Sequence, residues 1–295
     1  MICITKSYGG SMSLVKYEVF KVVSETMSFS KASVLLNMSQ AAVSKSIKTL
    51  EEEFGGDLFI RHKQGVELSR FGERVRPEIL AVLSQNRRLE NLVNTYNNLQ
   101  TGKLIIGSFT SASALLLPDL IKRYAMEYPN IQIFIKEGHY YEIQKWLEDG
   151  IIDIGLLIEE FLEEHERIFL FTDRVKLIAP KKYKLPKEVS IKVIEEYPFI
   201  ISEHYPNPYM SRIFKKYNVK PNTRYIVKTN QTILAFIEKG LGIALLPESS
   251  LLKYETDFDI ITLKETIPRK IYLATKKNNL EIPMIKAFWN INLEN

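Results

Sequence analysis

The chain has 295 residues, 45% hydrophobic and 25% charged, and its 40 Lys and Arg against 35 Asp and Glu leave a net charge of +5. That length accommodates one large domain or two to three small ones; the composition excludes wholesale disorder and collagen-like repeats, and no apolar run nears the ~20 residues a bilayer span needs. Cys3 alone cannot close an internal disulfide, the scattered His62, His139, His165 and His204 have no zinc-ligand spacing, and Met1 to Ser11 lack a signal-peptide core, so a cytoplasmic protein without metal is expected.

Residues 13–60 carry helical periodicity. Val15, Val19, Val22 and Val23 recur at the spacing of one buried helical face. Ser28 and Ser30 offer N-caps for a short second helix carrying Ala32, Leu35 and Leu36. Asn37-Met38 turns the chain, Ser39 caps a third helix, and Val43, Ile47, Leu50 and Phe54 line its apolar side up to a left-handed stop at Gly55-Gly56. Two short helices joined by a tight turn make a helix-turn-helix. Leu58–Ser69 then reads as a small hairpin, a wing, around the basic Gly-containing turn Arg61-His62-Lys63-Gln64-Gly65.

From about Phe71 to Gln100 one long helical pattern places Val75, Ile79, Val82, Asn86, Leu89, Val93 and Tyr96 on a heptad seam. Some thirty residues span about 45 Å at the α-helical rise. An exposed apolar stripe of that length needs a partner, and a second copy of the chain supplies one. Asn86 is placed to set the register, and Pro77 is expected to kink the helix near its start.

After Thr101-Gly102 strands and helices alternate. The expected elements are strands at 104–106, 131–135, 153–158, 175–179, 199–201, 223–227 and 243–246, with helices at 115–128, 141–148, 210–217 and 232–239 among them. Such alternation predicts α/β domains with mainly parallel sheets. The two halves look alike, and Ile271–Ala274 with a last helix over Ile282–Ile291 returns the chain to the first of them.

The run Ser30-Lys-Ala-Ser-Val-Leu-Leu-Asn-Met-Ser-Gln-Ala-Ala-Val-Ser-Lys, followed by Ile47-Lys-Thr-Leu-Glu-Glu-Glu-Phe-Gly and Leu58-Phe-Ile-Arg, resembles the LysR-type transcriptional regulators. Leu116-Leu-Pro-Asp-Leu, Tyr128-Pro-Asn-Ile, Gly150-Ile-Ile-Asp-Ile-Gly and Gly240-Leu-Gly-Ile-Ala-Leu-Leu-Pro are similar to that family's regulatory domain, so the resemblance covers residues 12–292. It implies an all-α winged helix-turn-helix, a dimerising linker helix and two Rossmann-like α/β subdomains of the periplasmic-binding-protein type that clasp a small effector. It also implies a tetramer on an interrupted palindrome, although dimer and tetramer stay open from the residues, and RNA polymerase as a further partner. The expected divisions are 12–70, 71–100, 101–167 with 270–295, and 168–269. Departures are Ala41, where the family commonly has Pro, Lys45, where it commonly has Arg, and the doubled Gly55-Gly56. Lysine cannot read guanine bidentately, so base choice is expected to relax or change. Met12-Ser-Leu resembles a family start, which makes residues 1–11 an added tag or an upstream start.

Opposite the apolar seam of the third helix lie Gln40, Ser44 and Lys48, with Ser39, Ala41 and Lys45 beside them. Gln bonds adenine, Ser a base or phosphate, Ala a thymine methyl and Lys guanine or phosphate, so this face suits the DNA major groove, with Arg61, His62 and Lys63 over the backbone or minor groove. The plainer alternative is a solvated helix face. For the effector, Gly107-Ser-Phe-Thr-Ser-Ala-Ser leads a strand into a helix, and hydroxyls there favour an anion. Ser111 matches the family's effector position, with Thr110 beside it. Gly138, His139 and Tyr140 end the second strand, while Ser202 and Glu203, then Thr229 and Asn230, end strands of the opposite subdomain, where open α/β sheets bind ligands. The plainer alternative makes these Ser and Thr ordinary caps.

A two-lobed solute carrier or enzyme is the competing class, and a helix-turn-helix used only for protein contacts a third. No Ser-His-Asp spacing, P-loop or GxGxxG accompanies the lobes, so neither an enzyme nor a resident cofactor is expected.

Overall fold

A computed structural model describes residues 14–62, 65–96, 101–205, 207–251 and 257–291. They form two compact units, 14–96 with 149–151, and 101–148 with 152–291.

In the first unit α1 (Leu14–Thr26), α2 (Phe29–Leu35) and α3 (Gln40–Phe54) are followed by β1 (Phe59–His62), β2 (Gly65–Leu68) and α4 (Arg70–Tyr96). Ser28 caps α2 by accepting from the Lys31 N–H, and Ser39 caps α3 by accepting from the Ala42 N–H, both at 3.2 Å. Gly55 ends α3 at φ +71°, a left-handed conformation that a side chain would strain. Phe20, Val23, Val43, Ile47, Leu50 and Leu58 close a core from which water is excluded. β1 and β2 pair antiparallel from Phe59 opposite Leu68 to His62 opposite Gly65, the expected wing.

The long helix α4 runs through Pro77 as one element to Tyr96, and residues 97–100 of the expected span lie outside the described residues. Its seam is divided. Val75 and Ile79 pack into the core of this unit, whereas Val82, Leu89 and Val93 remain exposed. The apolar stripe that needs a partner is therefore shorter than the heptad count implies, because the winged domain covers its N-terminal part.

The second unit contains, in order, β3 (Gly102–Ser108), α5 (Thr110–Leu115), α6 (Leu117–Glu127), β4 (Ile131–Glu137), α7 (Tyr140–Glu148), β5 (Ile154–Ile158), β6 (Glu166–Pro180), β7 (Glu188–Val189), α8 (Val193–Glu196), β8 (Phe199–Ser202), α9 (Pro208–Tyr217), β9 (Thr223–Val227), α10 (Asn230–Glu238), β10 (Ala244–Pro247), β11 (Phe258–Leu263), β12 (Pro268–Thr275) and α11 (Pro283–Asn290). The single helix expected at 115–128 is two, α5 and α6, joined at Leu116.

The mainly parallel sheet expected here is instead mixed. β4, β3 and β5 are parallel, but β12 runs antiparallel to both β5 and β6, and β6 runs antiparallel to β10 and β11. The cause is β6, fifteen residues long, of which the strand expected at 175–179 is only the second half. Its residues Glu166–Arg174 pair with β12 in the first lobe, and Val175–Pro180 pair with β10 and β11 in the second. One strand thus passes through both lobes, and the β11–β12 connection recrosses beside it. Ile178, Ile200, Ile233, Leu234, Ile237, Leu246 and Phe258 make the second lobe's core. In the first lobe, Tyr124 is buried against Phe288 and donates to the Met284 carbonyl at 2.9 Å.

Candidate functional site

On α3 the apolar side faces the core, and Ser39, Gln40, Ala41, Lys45 and Lys48 are exposed with Ser44 half-buried among them. The structure thus assembles every expected α3 residue on one accessible side. Ser39 uses its oxygen as the helix cap and keeps its proton to donate. Arg61 on β1 donates from Nη2 to Ser44 Oγ at 3.3 Å and stacks over the Phe29 ring, 4.6 Å from its centroid. The wing cation is therefore held beside the exposed face of α3. His62 is engaged with Glu67 across the hairpin at 2.8 Å, and Lys63 lies outside the described residues.

Sequence reasoning missed Glu51. Its Oε1 accepts from the backbone N–H of Leu58 at 2.8 Å and of Phe59 at 3.2 Å. One carboxylate on α3 thus satisfies two donors at the start of the wing and fixes how the wing leaves the helix. A Glu in the last turns of a helix reads as solvated surface, so only the folded chain reveals the tie.

In the second unit the structure gathers Ser111 of α5 and Tyr140 of α7 around a residue the sequence reading did not select, Arg269 on β12. Its guanidinium donates to Tyr140 Oη at 2.9 Å, Ser111 Oγ at 3.0 Å, Ser249 Oγ at 2.9 Å and Asp173 Oδ2 at 2.5 Å. Asp173, on β6, accepts further from Ser249 Oγ at 2.6 Å and from the Ser249 N–H at 3.2 Å. The guanidinium lies 5.0 Å from the Phe109 ring, and Nε has no partner among the described residues. Arg269 and Asp173 are both buried, so each charge depends on the other and on the surrounding hydroxyls.

This arrangement sets hydroxyl direction. An arginine only donates, so Ser111 and Tyr140 must accept from it and turn their own protons elsewhere. Together they present hydrogen-bond donors suited to an oxygen-rich ligand. Tyr209, whose hydroxyl donates to the Pro268 carbonyl at 3.4 Å, is buried beside the cluster, and that burial raises its hydroxyl above the ordinary phenol range.

The other expected effector residues are placed differently. Thr110 opens α5 and is exposed. Gly138 is required by packing, since a Cβ there would meet the Trp146 ring at 2.4 Å. His139 reaches across to His204, with ring centroids 3.2 Å apart. Ser202 accepts from the His204 N–H at 3.4 Å, and Glu203 lies 3.8 Å from Lys228 Nζ. Thr229 caps α10 by accepting from the Thr232 N–H at 3.1 Å, the ordinary helix-cap role, while Asn230 donates to Ser250 Oγ at 3.1 Å. These second-lobe hydrogen bonds stay within that lobe. Only Ser111 and Tyr140 of the expected set join the arginine cluster, because Arg269, Asp173 and Ser249 come from segments whose spacing carries no motif.

The comparisons with known proteins agree with one another. Residues 14–73 match the model of the bacterial regulatory helix-turn-helix protein, lysR family, and residues 97–295 match that of the LysR substrate binding domain. In Bacillus subtilis, the uncharacterized HTH-type transcriptional regulator YvbU is 29% identical over 269 residues, 89% of this chain and 91% of the relative. The uncharacterized HTH-type transcriptional regulator YoaU of the same organism is 31% identical over 248 residues, 81% of this chain and 83% of the relative. Among solved structures, the LysR family transcriptional regulator CbnR superposes with a TM-score of 0.68 at 16% identity, covering 96% of this chain and 98% of that one.

Proposed function

The chain belongs to the LysR family of DNA-binding transcriptional regulators with an effector-binding domain, and on that premise we propose which of its surfaces does each part of the work. The α3 face of Gln40, Ala41, Ser44, Lys45 and Lys48 enters the major groove, with Ser39, Arg61 and Lys63 on phosphates. What supports this best is the Arg61–Ser44 contact, which holds the wing cation beside the exposed polar side of α3. CbnR has also been solved with its target DNA.

The effector is a small anion or another molecule with clustered acceptor oxygens. Ser111 and Tyr140 donate to it, Arg269 orients both, Thr110, Gly138 and His139 flank it from the first lobe, and Ser202, Glu203, Thr229 and Asn230 from the second. The lobes follow the expected division of 101–167 with 270–295 and 168–269, with the crossings moved to about Arg174 on β6 and to just before Pro268 on β12, after the winged domain at 12–70 and the linker at 71–100. Val82, Leu89 and Val93 pair with a second copy. The protein acts in the cytoplasm, as a regulator and not as a catalyst, and RNA polymerase is its further partner.

Binding to the DNA directly upstream of its own gene, titrated with salt and with a panel of small carboxylates and amino acids, tests this reading. A log–log salt slope near −0.9 per phosphate contact is expected, with affinity shifted by one compound class. A folded, self-associated protein that fails to bind at low salt overturns it.

A further inference from the structure

His139 follows β4 in the first lobe, His204 follows β8 in the second, and nothing in the effector reading requires them to touch. Yet their rings meet, tilted by 31° with 3.2 Å between centroids. His204 Nε2 is screened from solvent and has no hydrogen-bond partner among the described residues. The charged groups around the pair come from three further places. Glu142 on α7 accepts from the His139 N–H at 2.9 Å, Glu203 Oε1 stands 3.7 Å from His204 Nε2, and Lys228 Nζ is 3.8 Å from that same Glu203 oxygen.

We propose that His139 and His204 form a proton-sensitive clasp, which holds the two lobes together while both imidazoles are neutral and releases them when both are charged. Stacked neutral rings attract, whereas two imidazolium ions in the same place repel. Partial burial of the His139 ring holds it below the ordinary imidazole range, and His204 and then Lys228 act in the same direction. Glu142 and Glu203 pull the other way without reversing the result. The closed form therefore takes up protons less readily than the open one. Closure is fully favoured above the ordinary histidine value and is lost as pH falls from there through the lowered value of His139 in the closed form. Among the described residues the other polar ties between the lobes include the hydrogen bonds of Arg269 to Ser111 and Ser249 and the Arg212–Glu160 pair, none of which involves an imidazole.

The clasp goes beyond the effector assignment, so the test adds no effector and its outcome is independent of that reading. The chain's lone cysteine, Cys3, allows clean labelling. In full-length protein carrying Cys3→Ser, Met126→Cys on α6 and Lys215→Cys on α9 take spin labels, and excess unlabelled chain dilutes distances between subunits. Pulsed dipolar spectroscopy then compares about pH 8 with about pH 5.5, on either side of the ordinary histidine value. The expected result is a short interlobe distance giving way to a longer one on acidification. The closed-to-open ratio should fall roughly tenfold for each pH unit over which only the open form holds an added proton. His139→Phe with His204→Phe, or His139→Gln alone should the double variant not fold, should keep the short distance at both pH values. Identical distances in the unsubstituted pair at both pH values would overturn the clasp, as would an unchanged acid transition in the histidine variants.

Discussion

Arg269 and Asp173 stand 96 residues apart in the chain and meet at 2.5 Å, with 2% and 1% of their side chains exposed. Because β12 and β6 pair beside the crossing between the lobes, this ion pair ties the hydroxyls of Ser111 and Tyr140 in one lobe to Ser249 in the other. A buried pair of this kind adds little stability relative to apolar residues of equal volume, but breaking it leaves a charge stranded. Arg269→Met is therefore expected to cost about 3–5 kcal/mol, and adding Asp173→Leu should restore most of it. Urea unfolding followed by circular dichroism measures both. A single variant that loses under about 1 kcal/mol would mean the pair is solvated in solution.

Ser111 separates stability from sensing. Ser111→Ala removes a donor to the effector but leaves Arg269 with three other acceptors. The apparent effector affinity should drop about 10- to 100-fold, the worth of one hydrogen bond to a charged group, with affinity for DNA alone unchanged. Calorimetry with whichever compound shifts the DNA titration gives the number, and an unaltered affinity would remove Ser111 from the site.

Lys45→Ala and Lys63→Ala should weaken DNA binding in different ways. Lys45 lies on the exposed face of α3, so its loss should change which operator bases are preferred. Lys63 follows β1 in the sequence, and its loss should lower affinity on every sequence and reduce the salt slope by about one contact. Gel-shift titrations on a base-substituted operator series distinguish them. Wild-type behaviour in both variants would contradict the assignment.

Glu51→Ala should loosen the wing, because the N–H groups of Leu58 and Phe59 both lose their acceptor. Each unsatisfied donor costs about 1–3 kcal/mol, so the winged unit should melt earlier and bind every DNA sequence less well. Glu51→Gln retains one acceptor oxygen and should recover part of the loss. Calorimetric scanning of the two variants checks the order.

Leu89→Glu on the exposed stripe of α4 should lower the mass of the assembly without unfolding the winged domain, since Leu89 is 59% exposed and outside its core. Light scattering after gel filtration reads the mass directly. An unaltered mass would place self-association elsewhere.

The local elements were legible because short-range chemistry sets them. The apolar spacing of Val43, Ile47 and Leu50 placed the buried side of α3, Ser28 and Ser39 announced their helices, and Gly55 announced the end of one. The exposed polar face of α3 follows from that periodicity, whereas the DNA-binding reading needs the turn, the wing and the resemblance to the LysR-type regulators beside it. The sequence pattern did not disclose the full β6. The strand expected at 175–179 is only the second half of β6; the first half carries its own apolar run, Ile168-Phe-Leu-Phe, but its pairing with the antiparallel β12 depends on a segment about a hundred residues away.

What the amino-acid order determined by itself was the succession of a helix-turn-helix, a wing, a long helix and two α/β lobes, because helix and strand periods, caps and glycine stops act over a few residues. What only the tertiary structure decided was which charges are buried together. Arg269, Asp173 and Ser249, like the His139–His204 contact, join segments far apart in the chain, and Glu51 holds two backbone N–H donors beyond the end of its own helix. A buried charge is tolerated only where folding brings it a partner, and that pairing depends on strand register and lobe packing, which no local spacing encodes.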